Sequence, residues 1–186
     1  MSDRRAQIRR ERAEFRKIAK HKSPMGDMER AVAQGIIDGR ILAACIVFGV
    51  LKDHFNFGTK RLGRLLELSN KECGKFEQAA TQFNIQFYKE RMVERTQLAN
   101  ISLKEKDLKE RAYTVQRCEV FSSACAIMFI VLNQAFGFSS NEKGTGRTDV
   151  IMEYALDEFI KVNRENRSIS QCVKELGEKT GIILAD

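Results

Sequence analysis

The chain has no tryptophan, a single proline (Pro24) and only two histidines, His21 and His54, among its 186 residues. With one proline, long uninterrupted helices are favoured over sheets and turn-rich folds, because proline removes a backbone donor and restricts the residue before it. With two histidines far apart in sequence, neither a histidine-pair metal site nor a Cys-His dyad can be built from local spacing. The five cysteines, Cys45, Cys73, Cys118, Cys125 and Cys172, are odd in number and contain no Cys-x-x-Cys pair. A zinc site or a closed disulfide framework is therefore not expected, and reduced thiols are. The start, Met1-Ser2-Asp3-Arg4-Arg5, lacks the apolar core of a signal peptide, and the richest apolar stretch, Ile41 to Val50, is ten residues long. That falls short of the roughly 18 residues of a membrane span. These features predict a cytoplasmic protein with no membrane partner, no metal and no cofactor.

What is present is a pattern that occurs twice, 81 residues apart. Ala43, Ile46, Phe48, Val50, Leu51, Phe55 and Phe57 recur as Ala124, Ile127, Phe129, Val131, Leu132, Phe136 and Phe138. Both windows end in Phe-x-Phe followed by a small residue, Gly58 or Ser139. Self-similarity at a fixed offset points to tandem duplication, with chance likeness of two apolar helical stripes as the alternative. An apolar fraction of 43% and a charged fraction of 31% suit a globular helical protein. The predicted fold is all-α: two tandem-repeated helical units that share or join cores, preceded by a basic N-terminal helical arm. The expected boundaries are 1–24 for the arm, 25–100 for the first unit and 101–186 for the second. If the repeat is real, Phe57 and Phe138 should occupy equivalent places.

Asp27 is the expected N-cap of a helix from about Met28 to His54, apolar on nearly every side beyond Ile41 and so buried all round. A short helix from Lys60 to Leu68 should follow, with Leu62, Leu65 and Leu66 inward and Lys60, Arg61 and Arg64 outward. Ser69-x-x-Glu72 and Ser102-x-x-Glu105 have capping-box spacing and predict two further helix starts. The first leads through Phe76, Phe83, Phe87 and Met92. The second opens a long helix whose charged part, Lys104 to Arg117, should connect the units along their outside. A longer loop from Ser139 to Gly146 should precede a helix near Thr148. The last helix should be capped by Ser168 with Gln171 and stop at Gly181.

Charge is uneven. Residues 1–22 carry nine Lys or Arg against Asp3, Glu11 and Glu14, a balance of +6, whereas the whole chain carries +7. Arg4, Arg5, Arg9, Arg10 and Arg12 are the arm's candidate contacts with nucleic acid or an acidic partner, because clustered cations attract a polyanion without one fixed geometry. A solubilising, frayed helix is the other reading. Lys60, Arg61 and Arg64 are candidates for a more fixed contact. Phe55, Phe57, Gly58, Phe136 and Phe138 are expected to lock the two repeat loops, since paired aromatics at a helix end usually fill core.

No acid-base pair stands out, because the carboxylates alternate with Lys and Arg as on a solvated helix face. Gly144-Thr145-Gly146-Arg147 could cradle a phosphate at a helix start, but it lacks the Gly-x-x-x-x-Gly-Lys-Ser/Thr pattern and a preceding strand. A flexible inter-helix loop is the better reading. Leu62 to Glu72 has the outline of a degenerate helix-turn-helix, with Glu67 where glycine usually turns. Val173 to Gly177 shows the same outline but leaves no room for a recognition helix.

The stretch Val50-Leu51-Lys52-Asp53-His54-Phe55-Asn56-Phe57-Gly58-Thr59-Lys60-Arg61-Leu62-Gly63-Arg64 resembles small helical proteins encoded by phages and prophages of Gram-positive bacteria. They share an apolar helix, an aromatic-x-aromatic-Gly step and Lys/Arg-Arg-Leu. Ser139 departs from that pattern in the second unit. Some helical mobile-element proteins of this size inhibit type II CRISPR nucleases. The resemblance therefore implies a non-enzymatic anti-defence protein acting in a bacterial host cell on an RNA-guided nuclease complex. The basic charge separates this chain from acidic DNA mimics and directs it to the nuclease's protein surface, guide RNA or DNA. The alternatives are a phage DNA-binding regulator or architectural protein using the same arginines, and a structural or packaging subunit, which would form ordered oligomers.

Overall fold

The computed structural model of the chain describes residues 24–75, 85–92, 107–141 and 144–184. Among the described residues there is no strand, and the fold is all-α. The helices are α1 (Pro24–Phe55), α2 (Thr59–Cys73), α3 (residues 85–92), α4 (Leu108–Phe136), α5 (Arg147–Arg164) and α6 (Ile169–Thr180).

Three helix starts differ from the sequence expectation. α1 is already helical at Pro24, whose fixed φ suits a first turn, so Asp27 lies inside that turn and not at the cap. There it pairs with Arg30 at 3.9 Å and complements the helix dipole. α2 runs unbroken to Cys73, so Ser69 starts no new helix. Leu62, Leu65 and Ser69 lie on one buried face, and continuing the helix keeps that face against its neighbour. The start of α4 is set by Asp107, whose carboxylate accepts from the Glu110 amide at 2.7 Å; the Ser102 box lies outside the described residues. α6 follows expectation: Ser168 and Gln171 form a reciprocal box at 3.2 and 2.8 Å, and Gly181 ends the helix at φ 70°. Ser168→Ala should cost about 1 kcal/mol, as a lost N-cap does, measurable by urea unfolding.

The centre of the fold is the pair α1 and α4. A Cβ built on Gly35 would lie 2.7 Å from the Tyr113 carbonyl oxygen and 3.1 Å from Cβ of Gln116. One built on Gly39 would lie 2.7 Å from the Arg117 carbonyl oxygen and 3.0 Å from Cβ of Val120. At the other end, the ring centroids of Phe57 and Phe138 are 5.7 Å apart. Contacts advance together along both helices, so α1 and α4 run parallel, each residue beside the one 81 positions later. The absence of side chains at Gly35 and Gly39 is what lets the two backbones approach. It also places the Tyr113 to Arg117 stretch against α1, where an outer connector was expected. Thr114 is buried there, and Tyr113 donates from its hydroxyl to the buried Asp38 at 2.6 Å.

The outer helices are exchanged between the halves. α2, which follows α1, packs on α4, whereas α5, which follows α4, packs mainly on α1. α6 also covers α1. One continuous apolar core results, with Phe48, Phe121, Phe129 and Phe159 fully enclosed and Phe121 stacked on Phe159 at 4.2 Å. The expected unit boundary near residue 100 lies outside the described residues.

By length and hydropathy, Gly26–Phe55 and Leu108–Phe136 could each cross a membrane, a feature the ten-residue apolar run did not suggest. More than half of each apolar window, 61% and 56%, is covered by the rest of the chain, as in core helices. Their parallel course also places the start of α4 toward the end where α1 begins.

Candidate nucleic-acid interface

At the shared C-terminal end of α1 and α4 the chain makes the same step twice. Asn56 and Gly137 hold left-handed backbone at φ 53° and 68°. Beyond each, a phenylalanine amide reaches back six residues: Phe57 N–H to the Leu51 carbonyl and Phe138 N–H to the Leu132 carbonyl, both at 3.1 Å. These bonds close each helix end around its left-handed residue and turn Phe57 and Phe138 inward. Phe55 meets Phe138 and Phe136 meets Phe57, each at 5.5 Å, so the four rings interlock across the helix pair. Phe57 and Phe138 are buried. Their rings also meet each other, at 5.7 Å.

Gly58 has a smaller role than expected. Its φ of −81° is open to any residue, and a Cβ there would meet nothing within 4 Å. The left-handed step belongs to Asn56. Gly58 is the N-cap of α2 and supplies no side-chain acceptor, so Gly58→Ser should raise stability by about 0.5 kcal/mol in thermal unfolding.

Over the aromatic cluster lie four exposed cations. The Arg61 guanidinium sits 5.6 Å from the Phe57 ring centre, Arg64 5.7 Å from Phe136, and Arg147 5.6 Å from Phe138. With Lys60 they line an open concavity of about 520 Å³ that contains no carboxylate. Among the described residues none of the four makes an ion pair. The carboxylate that feels Arg64 is Glu67, which is engaged by Lys71 at 2.8 Å. Hydrogen bonding and charge from Lys71 hold the Glu67 carboxyl below its ordinary value, with a smaller contribution from Arg64. Lys60 and Arg61 stand in the first turn of α2, which holds no acidic residue. A helix N-terminus carries partial positive charge, so this placement leaves the end of α2 in want of an anion.

The structure thus brings Lys60, Arg61 and Arg64 together and adds Arg147, which sequence reasoning did not select. A signal existed: Gly58-Thr59-Lys60-Arg61 is echoed by Gly144-Thr145-Gly146-Arg147, displaced from the 81-residue offset by the longer second loop. Arg4, Arg5, Arg9, Arg10 and Arg12 lie outside the described residues.

The glycine loop itself does not cradle an external phosphate. Its anion is the fully buried Asp149 carboxylate, which accepts from the Gly146 and Asn141 amides at 3.0 Å, from the Ser140 hydroxyl at 2.6 Å and from Arg91 at 2.9 Å. A Cβ on Gly146 would lie 2.3 Å from the Ser139 carbonyl oxygen, so glycine is required there. The described part of the loop is tied down by Asp149 and presents Arg147 in place. The helix-turn-helix outline at Leu62 to Glu72 is likewise replaced, because α2 passes through it without a turn.

A second concavity, about 400 Å³, lies between α1, α5 and α6. Its charges are mutually engaged: Arg167 with Glu158, Glu165 and Glu175, and Lys179 with Asp53. His54 stacks on Tyr154 at 4.0 Å. Burial, with the neighbouring Cys172 and Glu175, pushes the Cys45 thiol up to about 12, and burial alone raises the Cys125 thiol further. Neither is a thiolate at neutral pH, so neither is an activated nucleophile. All five cysteines are free, and among the described residues no cluster of three or more His, Cys, Asp or Glu is placed to hold a metal. No family model, curated protein or solved structure matches the chain.

Proposed function

We propose that the chain is a non-catalytic accessory protein that binds the phosphate backbone within a nucleic-acid-handling complex, through Lys60, Arg61, Arg64 and Arg147. The observation that carries this reading is the convergence of four cations, without a carboxylate among them, on a rigid aromatic base. Cations held over rings keep their position at lower entropic cost than free side chains, and a phosphate tract supplies the missing negative charge. The aromatic rings serve as the base and not as stacking platforms, since Phe57 and Phe138 are covered. The basic arm would add long-range attraction.

The narrower form of the proposal is a phage-type anti-defence protein whose target is an RNA-guided CRISPR nuclease with its bound RNA and DNA, in the cytoplasm of a bacterial host. It is supported by the resemblance of Val50 to Arg64 and by the basic character of the face, which suits a complex rich in exposed phosphate. We also propose that the two halves arose by tandem duplication and are related by an approximate dyad along α1 and α4. The matched helix-end bonds, the crossed Phe pairs and the paired Arg61/Phe57 and Arg147/Phe138 contacts support it.

The test is fluorescence anisotropy with labelled nucleic acid across a salt series, using the intact chain and Arg61→Glu/Arg64→Glu/Arg147→Glu. The intact chain should lose affinity steeply with salt, and the triple variant should bind at least tenfold more weakly at low salt while melting at a similar temperature. Equal binding by both proteins would overturn the assignment of this face. For the narrower form, the intact chain should slow target cleavage by a purified type II nuclease, and the triple variant should not.

A further inference from the structure

Resting on the phosphate-binding reading, we infer that the face is built for double-stranded nucleic acid, with Arg61 and Arg147 acting as a symmetric clamp on one phosphate from each strand. α1 and α4 run parallel, so an axis between them leaves the protein at their common C-terminal end, between Phe57 and Phe138. Arg61 and Arg147 stand on either side of that point, each 5.6 Å from its own phenylalanine.

A duplex has the matching symmetry. Its two strands are antiparallel and are related by local dyads perpendicular to the duplex axis, so two-fold proteins dock with the axes coincident. A single strand has no such axis and would present different groups to the two arginines. The scale also agrees. The two guanidinium carbons cannot be farther apart than the sum of the two cation-ring distances and the ring-ring distance, about 17 Å. Phosphates facing each other across a minor groove about 6 Å wide fall within that reach once their own size is added. Since all contacts are to phosphate, the clamp would be indifferent to base sequence.

The experiment uses the full chain with a labelled hairpin duplex and a single strand of equal length, over a salt series. Variants are Arg61→Ala, Arg147→Ala, both together, and Lys174→Ala, on α6 and outside the concavity, as a charge control. For the duplex, each single arginine variant should lower the slope of log affinity against log salt by about 0.9, and the double variant by about twice that. Affinity at low salt should fall about tenfold for each arginine, to the same extent for both, and Lys174→Ala should leave it unchanged. Unequal losses from Arg61→Ala and Arg147→Ala, or equal losses for single strand and duplex, would overturn the symmetric duplex clamp while leaving phosphate binding intact. No change with any variant on either probe would remove the face from nucleic-acid binding altogether. Circular dichroism melts of each variant separate these outcomes from unfolding.

Discussion

Asp149→Ala should lower stability by about 3–5 kcal/mol, a loss on the scale seen when one partner of a buried charged pair is deleted. Asp149 is fully buried, and its carboxylate is the common acceptor for two amides, the Ser140 hydroxyl and the Arg91 guanidinium. Without it Arg91, mostly covered, keeps its charge with no counterion there, and the Gly146 amide loses its acceptor. Urea unfolding of the two proteins at neutral pH measures the difference. Because the same loop positions Arg147, the variant should also weaken phosphate binding.

Acid should reproduce part of that effect in the unmodified chain. Burial alone would raise the Asp149 carboxyl, but hydrogen bonds from Ser140 and the Asn141 and Gly146 amides, with the charge of Arg91, outweigh it and hold the group below its ordinary 3.8. For a carboxyl lowered by folding, the folded state binds the proton less readily than the unfolded state. Its stabilising contribution is then complete above the unfolded value and disappears as pH falls through the folded one. Stability measured from pH 6 downward should therefore hold until about pH 4 to 5 and decline below it. In Asp149→Asn this part of the decline should be missing. An unchanged acid profile in that variant would show that other carboxylates govern the transition.

Gly39→Val should cost about 3 kcal/mol, at the upper end of what overpacking does, because its contacts cannot yield locally. The nearest atom to a new Cβ is the Arg117 carbonyl oxygen at 2.7 Å, followed by Cβ of Val120 at 3.0 Å and the Phe121 amide nitrogen at 3.1 Å. All belong to the backbone or to the first side-chain atom of α4, so relief requires moving the helix. Gly63→Val makes a useful comparison: nothing lies within 4 Å of a Cβ there, and only the change in helix propensity remains. The two variants should differ by several degrees in melting temperature. Similar melting of both would mean that α1 and α4 do not approach closely at Gly39.

The apolar surround of Leu42 to Leu51 and Cys125 to Leu132 was legible because a helix that is apolar on all sides must be central. The packing of the Phe-x-Phe ends was legible because two aromatics cannot both remain in water at a helix terminus without cost. The box at Ser168 was legible for a local reason, since its two hydrogen bonds lie within four residues. The box at Ser69 has the same spacing but gave no such start. At Ser69 the neighbouring helix α4 rewards an unbroken buried face more than a cap rewards a break. Local spacing states what a segment can do, whereas packing selects among the options.

The amino-acid sequence by itself determined the helical class, the central position of the two apolar segments, the duplicated pattern and the exposed basic triplet at Lys60, Arg61 and Arg64. Those properties depend on composition and on periods of a few residues. The tertiary structure alone decided that α1 and α4 run parallel, that α2 and α5 exchange partners, and that Arg147 joins the triplet over the four rings. It also turned the glycine loop inward onto Asp149. The parallel pairing arises from contacts between residues about 80 positions apart, where the close approach at Gly35 and Gly39 sets the register. No local period records that register, because it is fixed by which backbones can touch.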